Sequence, residues 1–242
     1  MLMRALAFWR NLKAMSRTRR PARPEIISVA ALVQAYSYGV FPMAETRDDS
    51  DIKWIDPEWR GILPLDDFHM AKRLARTIRA TPLVTRVDAA FDKVIAACAK
   101  PGRGRPKTWI NEVIERSYVE LHRAGHAHSV EVYDGEELVG GLYGVSIGAA
   151  FFGESMFSVR RDASKIALVH LVARLKAGKY KLLDTQFVTE HLSQFGAIEI
   201  PRGSYHDMLR PAIDARANFY ELGGAGAAVS GGTVLQLITQ IS

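Results

Sequence analysis

The chain has 242 residues, 48% of them hydrophobic, enough for a sizeable core in one large domain or one and a half. A single cysteine, Cys98, excludes an internal disulfide, no Cys/His spacing suits structural zinc, and no apolar run approaches the ~20 residues of a membrane span, so a reducing, cytoplasmic setting without metal is expected. The net charge of +6 lies in residues 1–25, which hold seven bases against the lone acid Glu25, while the rest of the chain is balanced.

That arm ends in Arg19-Arg20-Pro21-Ala22-Arg23-Pro24, which resists helix formation, and reads as a disordered basic extension with a weak likeness to an organelle transit peptide. Residues 26–61 read as a small N-terminal lobe. A helix over 28–38 is capped by Ser28 and stopped at Gly39, and an extended Trp54-Ile55-Asp56-Pro57-Glu58-Trp59-Arg60-Gly61 follows a polar loop. The main domain is expected over 62–222. Its first helix starts at Asp66 or Asp67 and runs to about Arg79, with Phe68, Ala71, Leu74, Ala75 and Ile78 as its apolar stripe. Lys72, Arg73, Arg76 and Arg79 then occupy the opposite face. Residues 26–71 carry eight acids and three bases, whereas residues 72–107 carry ten bases and only Asp88 and Asp92 as acids, a polarity suited to a polyanion, here phosphate. A solvated helix face is the plain alternative.

A helix over 88–99 precedes Gly102-Arg103-Gly104-Arg105-Pro106, which is similar to an AT-hook but reads better as a basic loop between helices. Asn111 caps a helix to Arg123. A hairpin then joins 129–133 to 137–144 through Asp134-Gly135, and the strand continues or pairs again through 145–152. A helix over 163–177, a strand over 181–187 and a short helix capped by Thr189 complete the domain. Residues 223–242 form a Gly/Ala-rich tail with no assigned role.

Two segments set polar groups in apolar runs. Glu154 follows Ala149-Ala150-Phe151-Phe152, and Asp184 and Gln186 follow Tyr180-Lys181-Leu182-Leu183. Burying a carboxylate without a partner is costly, so each needs a partner or a cavity. On a strand Asp184 and Gln186 point to one face, a pleat apart, and either act together or brace adjacent loops as a satisfied pair.

In chain order the sequence also carries Tyr36-x-x-Gly39-Val40-Phe41-Pro42, Trp54-x-x-Pro57-x-x-Arg60, Thr108-Trp109-Ile110, Gly125-His126-Ala127-His128-Ser129-x-Glu131, Gly140-Gly141-x-Tyr143-Gly144, Gly153 to Ser158, Ala163-Ser164-Lys165, Asp184-x-Gln186, and Gly196-Ala197 before Ile200-Pro201-Arg202. This series, spanning about residues 32–209, resembles the leucyl/phenylalanyl-tRNA protein transferases of bacteria. The resemblance implies an α+β fold with a GNAT-like acyltransferase domain, and an enzyme that moves Leu or Phe from Leu-tRNA or Phe-tRNA to the N-terminal Lys or Arg of acceptor proteins, marking them for degradation. It implies no cofactor, no metal, no membrane partner, and a monomer.

By the same resemblance Asp184 and Gln186 are catalytic, Gln186 orienting the acceptor's α-amine and Asp184 polarising it, while Glu154 attracts the acceptor's cationic side chain or acts as a hydrogen-bond acceptor behind the site. Trp54, Trp109, Phe151 and Met156 would form the pocket for Leu or Phe, and Lys72, Arg73, Arg76 and Arg79 would hold the tRNA acceptor stem. His126 and His128 read as structural braces. The chain departs from the family at Trp54-Ile55, where a Trp pair is usual, at Leu142, where Met is usual, and at Ile26-Ile27-Ser28, where Gly-Gly-Asp is usual. The first two bear on pocket volume. Two alternatives stay open: a GNAT-type transferase using acetyl-CoA, although no Gly-rich pyrophosphate loop precedes the helix at Ala163, and a DNA-binding protein using Arg103, Arg105 and the basic arm.

Overall fold

The computed structural model describes residues 25–101 and 107–240; the basic arm before residue 25 and the Arg103/Arg105 loop lie outside the described residues. Helix α1 (Val29–Ser37) starts where Ser28 Oγ accepts the amide of Ala31 and stops before Gly39, whose φ of 76° suits glycine. Strands β1 (Phe41–Met43) and β2 (Lys53–Ile55) pair as a small separate sheet. Strand β3 (Trp59–Ile62) leaves the lobe and enters the main sheet.

Then come α2 (Lys72–Ala80), β4 (Val84–Val87), α3 (Phe91–Cys98) and α4 (Glu112–Arg123), the last capped by Asn111, whose Oδ1 accepts the Ile114 amide at 2.8 Å. Strands β5 (Ala127–Asp134), β6 (Glu137–Ile147) and β7 (Ala150–Ser158) form a meander, and α5 (Ala163–Ala177) crosses to β8 (Leu182–Gln186). The short α6 (Glu190–Ser193), β9 (Ile198–Pro201), α7 (Arg202–Ile213) and α8 (Gly231–Gln240) complete the described chain. The seven-stranded sheet has the order β4-β5-β6-β7-β8-β3-β9 and is antiparallel except between β7 and β8. This is the α+β architecture expected.

Alternation along the strands supplies two cores, one on each face of the sheet. Leu142, Phe151 and Leu183 point to a core built with α2, α5 and α8, whereas Tyr143, Phe152 and Leu182 point to one built with α1, α3, α4 and α7. The lobe is not packed apart from the rest, because Leu32, Tyr36 and Phe41 belong to the second core together with Phe91, Tyr118 and Tyr205.

Three expectations shift and one alternative is decided. The basic helix begins at Lys72, not at Asp66 or Asp67, because Phe68 is buried in a stack on Phe195 with centroids 5.5 Å apart and the His69 amide donates to Phe195 O. The next helix begins at Phe91, three residues late, after Asp88 takes a left-handed φ of 52°. The run 145–152 pairs again rather than continuing: it turns at Gly148, at φ 58°, where any Cβ would lie 2.1 Å from Ile213 O, and Val145 faces Phe152. Finally, the segment after Gly223 is no loose end. Val229 bridges to Thr85, and α8 buries Val234, Leu235 and Ile238 against the first core. That cover explains why α5 is buried nearly all round, His170 and Arg174 included: it is enclosed on both sides.

Candidate active site

The parallel pair β7–β8 is short. It holds Ala150–Phe152 against Leu182–Asp184, and beyond Phe152↔Asp184 the two strands part. A cavity of about 800 Å³ opens between their carboxyl ends, lined by residues 153–159 from β7 and its exit and by Thr185, Gln186 and Phe187 beyond the last pair. Crevices at the carboxyl ends of parallel strands are the usual ligand sites of such sheets. The cavity passes through the sheet. On one face its wall is apolar, with Leu142, Met156, Leu168, Leu171, Leu183 and Leu192; on the other it reaches Phe41, Met43, Trp109 and Tyr143.

Glu154 owes its direction to a bulge. Gly144 faces Gly153 and Tyr143 faces Ser155, so Glu154 is the extra residue in β7. The bulge turns its carboxyl toward the second core, where Tyr36 Oη donates at 2.7 Å and Gln186 Nε2 at 3.5 Å, with Tyr118 Oη 3.4 Å away. The two tyrosine hydroxyls also bond each other, one donating and the other accepting. Burial pushes the Glu154 pKa up to about 8; the Tyr36 hydrogen bond opposes this rise and the nearby Asp184 charge adds to it. Burial and the same carboxylate raise the Tyr36 and Tyr118 hydroxyls well above the usual tyrosine value.

Asp184 lies behind this wall with 0% exposure. Arg60 clamps it, Nε donating to Oδ1 at 3.0 Å and Nη2 to Oδ2 at 2.6 Å, while Tyr205 Oη donates to Oδ2 at 2.6 Å. Arg60 Nε also reaches Oδ2 at 3.2 Å, and the backbone amide of Gln186 donates to Asp184 Oδ1 at 2.8 Å. Arg60 is itself fixed by Gly39 O at 2.7 Å and lies between the rings of Phe41 and Tyr205, at 4.8 and 4.4 Å from their centroids. Burial alone would lower its pKa, but the adjacent Asp184 carries it above the ordinary arginine value. Gln186 has φ 57°, so the strand pleat is broken there. A simple one-pleat relation therefore does not describe the pair: Asp184 holds the backbone of Gln186 in a left-handed turn, and Gln186 forms part of the cavity wall.

Of the residues singled out from the sequence, Glu154, Gln186, Trp109 and Met156 line the cavity. Phe151 and Trp54 are not on its wall. Phe151 is fully buried in the first core, stacked on Phe219 at 5.8 Å, and Trp54 pairs opposite Pro42 in the small sheet. Lys72, Arg73, Arg76 and Arg79 are exposed along α2, with no ion pair to any of them among the described residues. His128 is a brace, its Nδ1 2.7 Å from Asp88 Oδ2. The sequence reading passed over Arg60, Tyr205, Tyr36 and Tyr118. Tyr36 and Arg60 stood inside the motif series and so carried a signal; Tyr118 and Tyr205 carried none.

A deep crevice with an apolar arm, a strained polar turn and a buried, clamped carboxylate is the pattern of an enzyme's ligand site rather than of a flat binding face. The family profile described as "Leucyl/phenylalanyl-tRNA protein transferase" matches residues 62–210, and that of its N-terminal domain matches residues 26–58. The chain is 60% identical over 213 residues to the leucyl/phenylalanyl-tRNA–protein transferase of Phenylobacterium zucineum, covering 87% of this chain and 96% of the relative. It is 56% identical over 218 residues to that of Caulobacter vibrioides (90% and 99%) and 55% identical over 211 residues to that of Maricaulis maris (87% and 96%). The chain belongs to the leucyl/phenylalanyl-tRNA protein transferase family.

Proposed function

We propose that this enzyme transfers Leu or Phe from aminoacyl-tRNA to the N-terminal Lys or Arg of acceptor proteins, which marks them for degradation. The observation that carries the reading is the cavity between the parted strands, where the apolar arm of Leu142, Met156, Leu168, Leu171, Leu183 and Leu192 adjoins Gln186 and Glu154. An apolar arm discriminates by only ~1–3 kcal/mol per methylene, which suits a donor side chain that is either Leu or Phe. Family membership supports the choice of donor and acceptor.

The ester of aminoacyl-tRNA is already activated, and an α-amine with a reference pKa of ~7.7–8.0 is partly neutral near pH 7, so the site needs position more than a strong base. The amine nitrogen attacks the ester carbonyl carbon, the carbon–oxygen bond to the ribose breaks, and the proton lost by the amine ends on the ribose oxygen. Gln186 orients the amine. Asp184, enclosed by Arg60 and Tyr205, acts as a positioning residue that fixes the Gln186 turn. This replaces direct polarisation of the amine, because Asp184 has no exposed surface. Glu154 receives the acceptor's cation, whose charge would draw the carboxyl toward its ionised form. In this reading Met156 lines the donor's pocket on the α5 face, Trp109 lines the arm of the cavity across the sheet, and Trp54 and Phe151 support the walls from behind. Lys72, Arg73, Arg76 and Arg79 contact the acceptor stem of the tRNA. The GNAT-like character of the larger domain belongs to the same reading, supported by the mixed sheet with helices on both faces. The enzyme acts as a monomer in the cytoplasm; among the described residues no helix is long and apolar enough to cross a membrane.

The test is transfer of radiolabelled Phe from Phe-tRNA to a protein beginning with Arg, comparing wild type with Asp184→Ala. Transfer by the wild type and its loss in a folded variant are expected. No transfer by folded wild-type enzyme would overturn the reading.

A further inference from the structure

After its last β8 partner at Phe152, β7 runs on for six residues to Ser158, paired to β6 on one edge. Among the described residues no strand lies on its other edge, and that edge faces the cavity. At ~3.3 Å per residue the six residues span about 20 Å, the reach of an extended peptide of five or six residues. A strand edge in a crevice offers alternating N–H and C=O groups, which an extended chain can satisfy by adding as a further strand. The ends of this edge are suited to a polypeptide. At the inner end lie Glu154 and Gln186; at the outer end the strand runs out to Val159, 70% exposed.

We propose that the N-terminal segment of the acceptor protein binds as an added strand along the cavity-side edge of β7, its α-amine at Gln186 and its later residues leaving past Val159. This rests on the donor and acceptor assignment made above. The apolar arm on the α5 face is left for the donor's side chain, so the two substrates occupy different walls. Recognition through backbone bonds would be indifferent to the acceptor's side chains after the first, which is what an enzyme that reads only an N-terminal residue requires.

Peptides beginning with Arg and carrying one backbone N-methyl group at residue 2, 3, 4 or 5 test this, with Phe-tRNA as donor and the full chain as enzyme. In an extended strand alternate amides face one edge, so KM should rise about tenfold at alternate positions, kcat should hold, and the intervening positions should match the unmodified peptide. A series in which every N-methyl peptide transfers like the parent would overturn the added strand, as would equal loss at every position, which reports bulk rather than pairing. An unmodified Arg peptide that accepts no Phe while remaining competent in other respects would overturn the acceptor assignment and the added strand together.

Discussion

A carboxyl with a pKa near 8 at residue 154 makes stability depend on pH in an unusual direction. Below the ordinary glutamate value of 4.5 both folded and unfolded chains hold the proton, so there is no linked cost. Between 4.5 and 8 the folded chain keeps a proton that the unfolded chain has released, and stability falls as pH rises; above 8 the loss is complete. Glu154→Gln removes the titration. Its melting temperature relative to wild type should therefore climb from pH 5 to pH 8 and then level off, measured by calorimetry at fixed ionic strength; a constant offset would contradict the assigned shift. Arg60 presents the opposite case. Arg60→Met leaves Asp184 buried beside Tyr205 without its counter-charge, and loss of one member of such a pair costs ~3–5 kcal/mol. Urea unfolding at neutral pH should show a midpoint lowered to match, with transfer activity reduced because the Gln186 turn loses its anchor.

Helix α2 has no acid in its first turn and four exposed cations, so it depends on its buried Leu74 and Ile78 for attachment and presents a positive face to solvent. If it contacts about four phosphates, replacing Lys72, Arg73, Arg76 and Arg79 by Glu should weaken aminoacyl-tRNA binding and reduce the slope of log affinity against log salt by roughly 3.6. Fluorescence titration from low to moderate salt reads both, and an unchanged slope would remove α2 from the interface. Helix α8 does a different task. Its Val234, Leu235 and Ile238 cover the outer side of α5, and at ~1.5–3 kcal/mol for each buried side chain their loss rivals the whole stability of an ordinary domain. Truncation after Ala228 should lower the melting temperature steeply or leave the chain insoluble. A truncated chain that melts like the parent would show that α5 is covered otherwise.

For the molecule as a whole, what could be read from the sequence depended on how far apart the interacting residues lie. Ser28, Asn111 and Thr189 cap their helices as read, because a cap is settled within three residues. The crevice was foreshadowed by Glu154 and by Asp184 and Gln186 in apolar runs, since burial cost is also a local signal. The enclosure of Asp184 was not legible: Arg60 lies 124 residues earlier and Tyr205 21 later, and no periodicity links them. Nor was the bulge at Glu154, which arises from unequal counting against β6 and not from any residue in β7 alone. The role of Gly223 to Gln240 was missed for a related reason, as its apolar residues gain meaning only against an α5 exposed on that side.

Strand β3 lies between β8 and β9 although residues 59–62 are made long before 182–201. During synthesis from the N-terminus this strand has neither neighbour until most of the chain has left the ribosome, and Arg60 has no carboxylate to meet. Loop closure over so long a separation is slow. A nascent chain thus carries an unsatisfied guanidinium and an open strand for much of its growth, and the Gln186 turn cannot be set until both are resolved. If Gln186 orients the acceptor amine, competence for transfer arrives only with the closing of the sheet, and a partly made enzyme holding a charged tRNA could not use it.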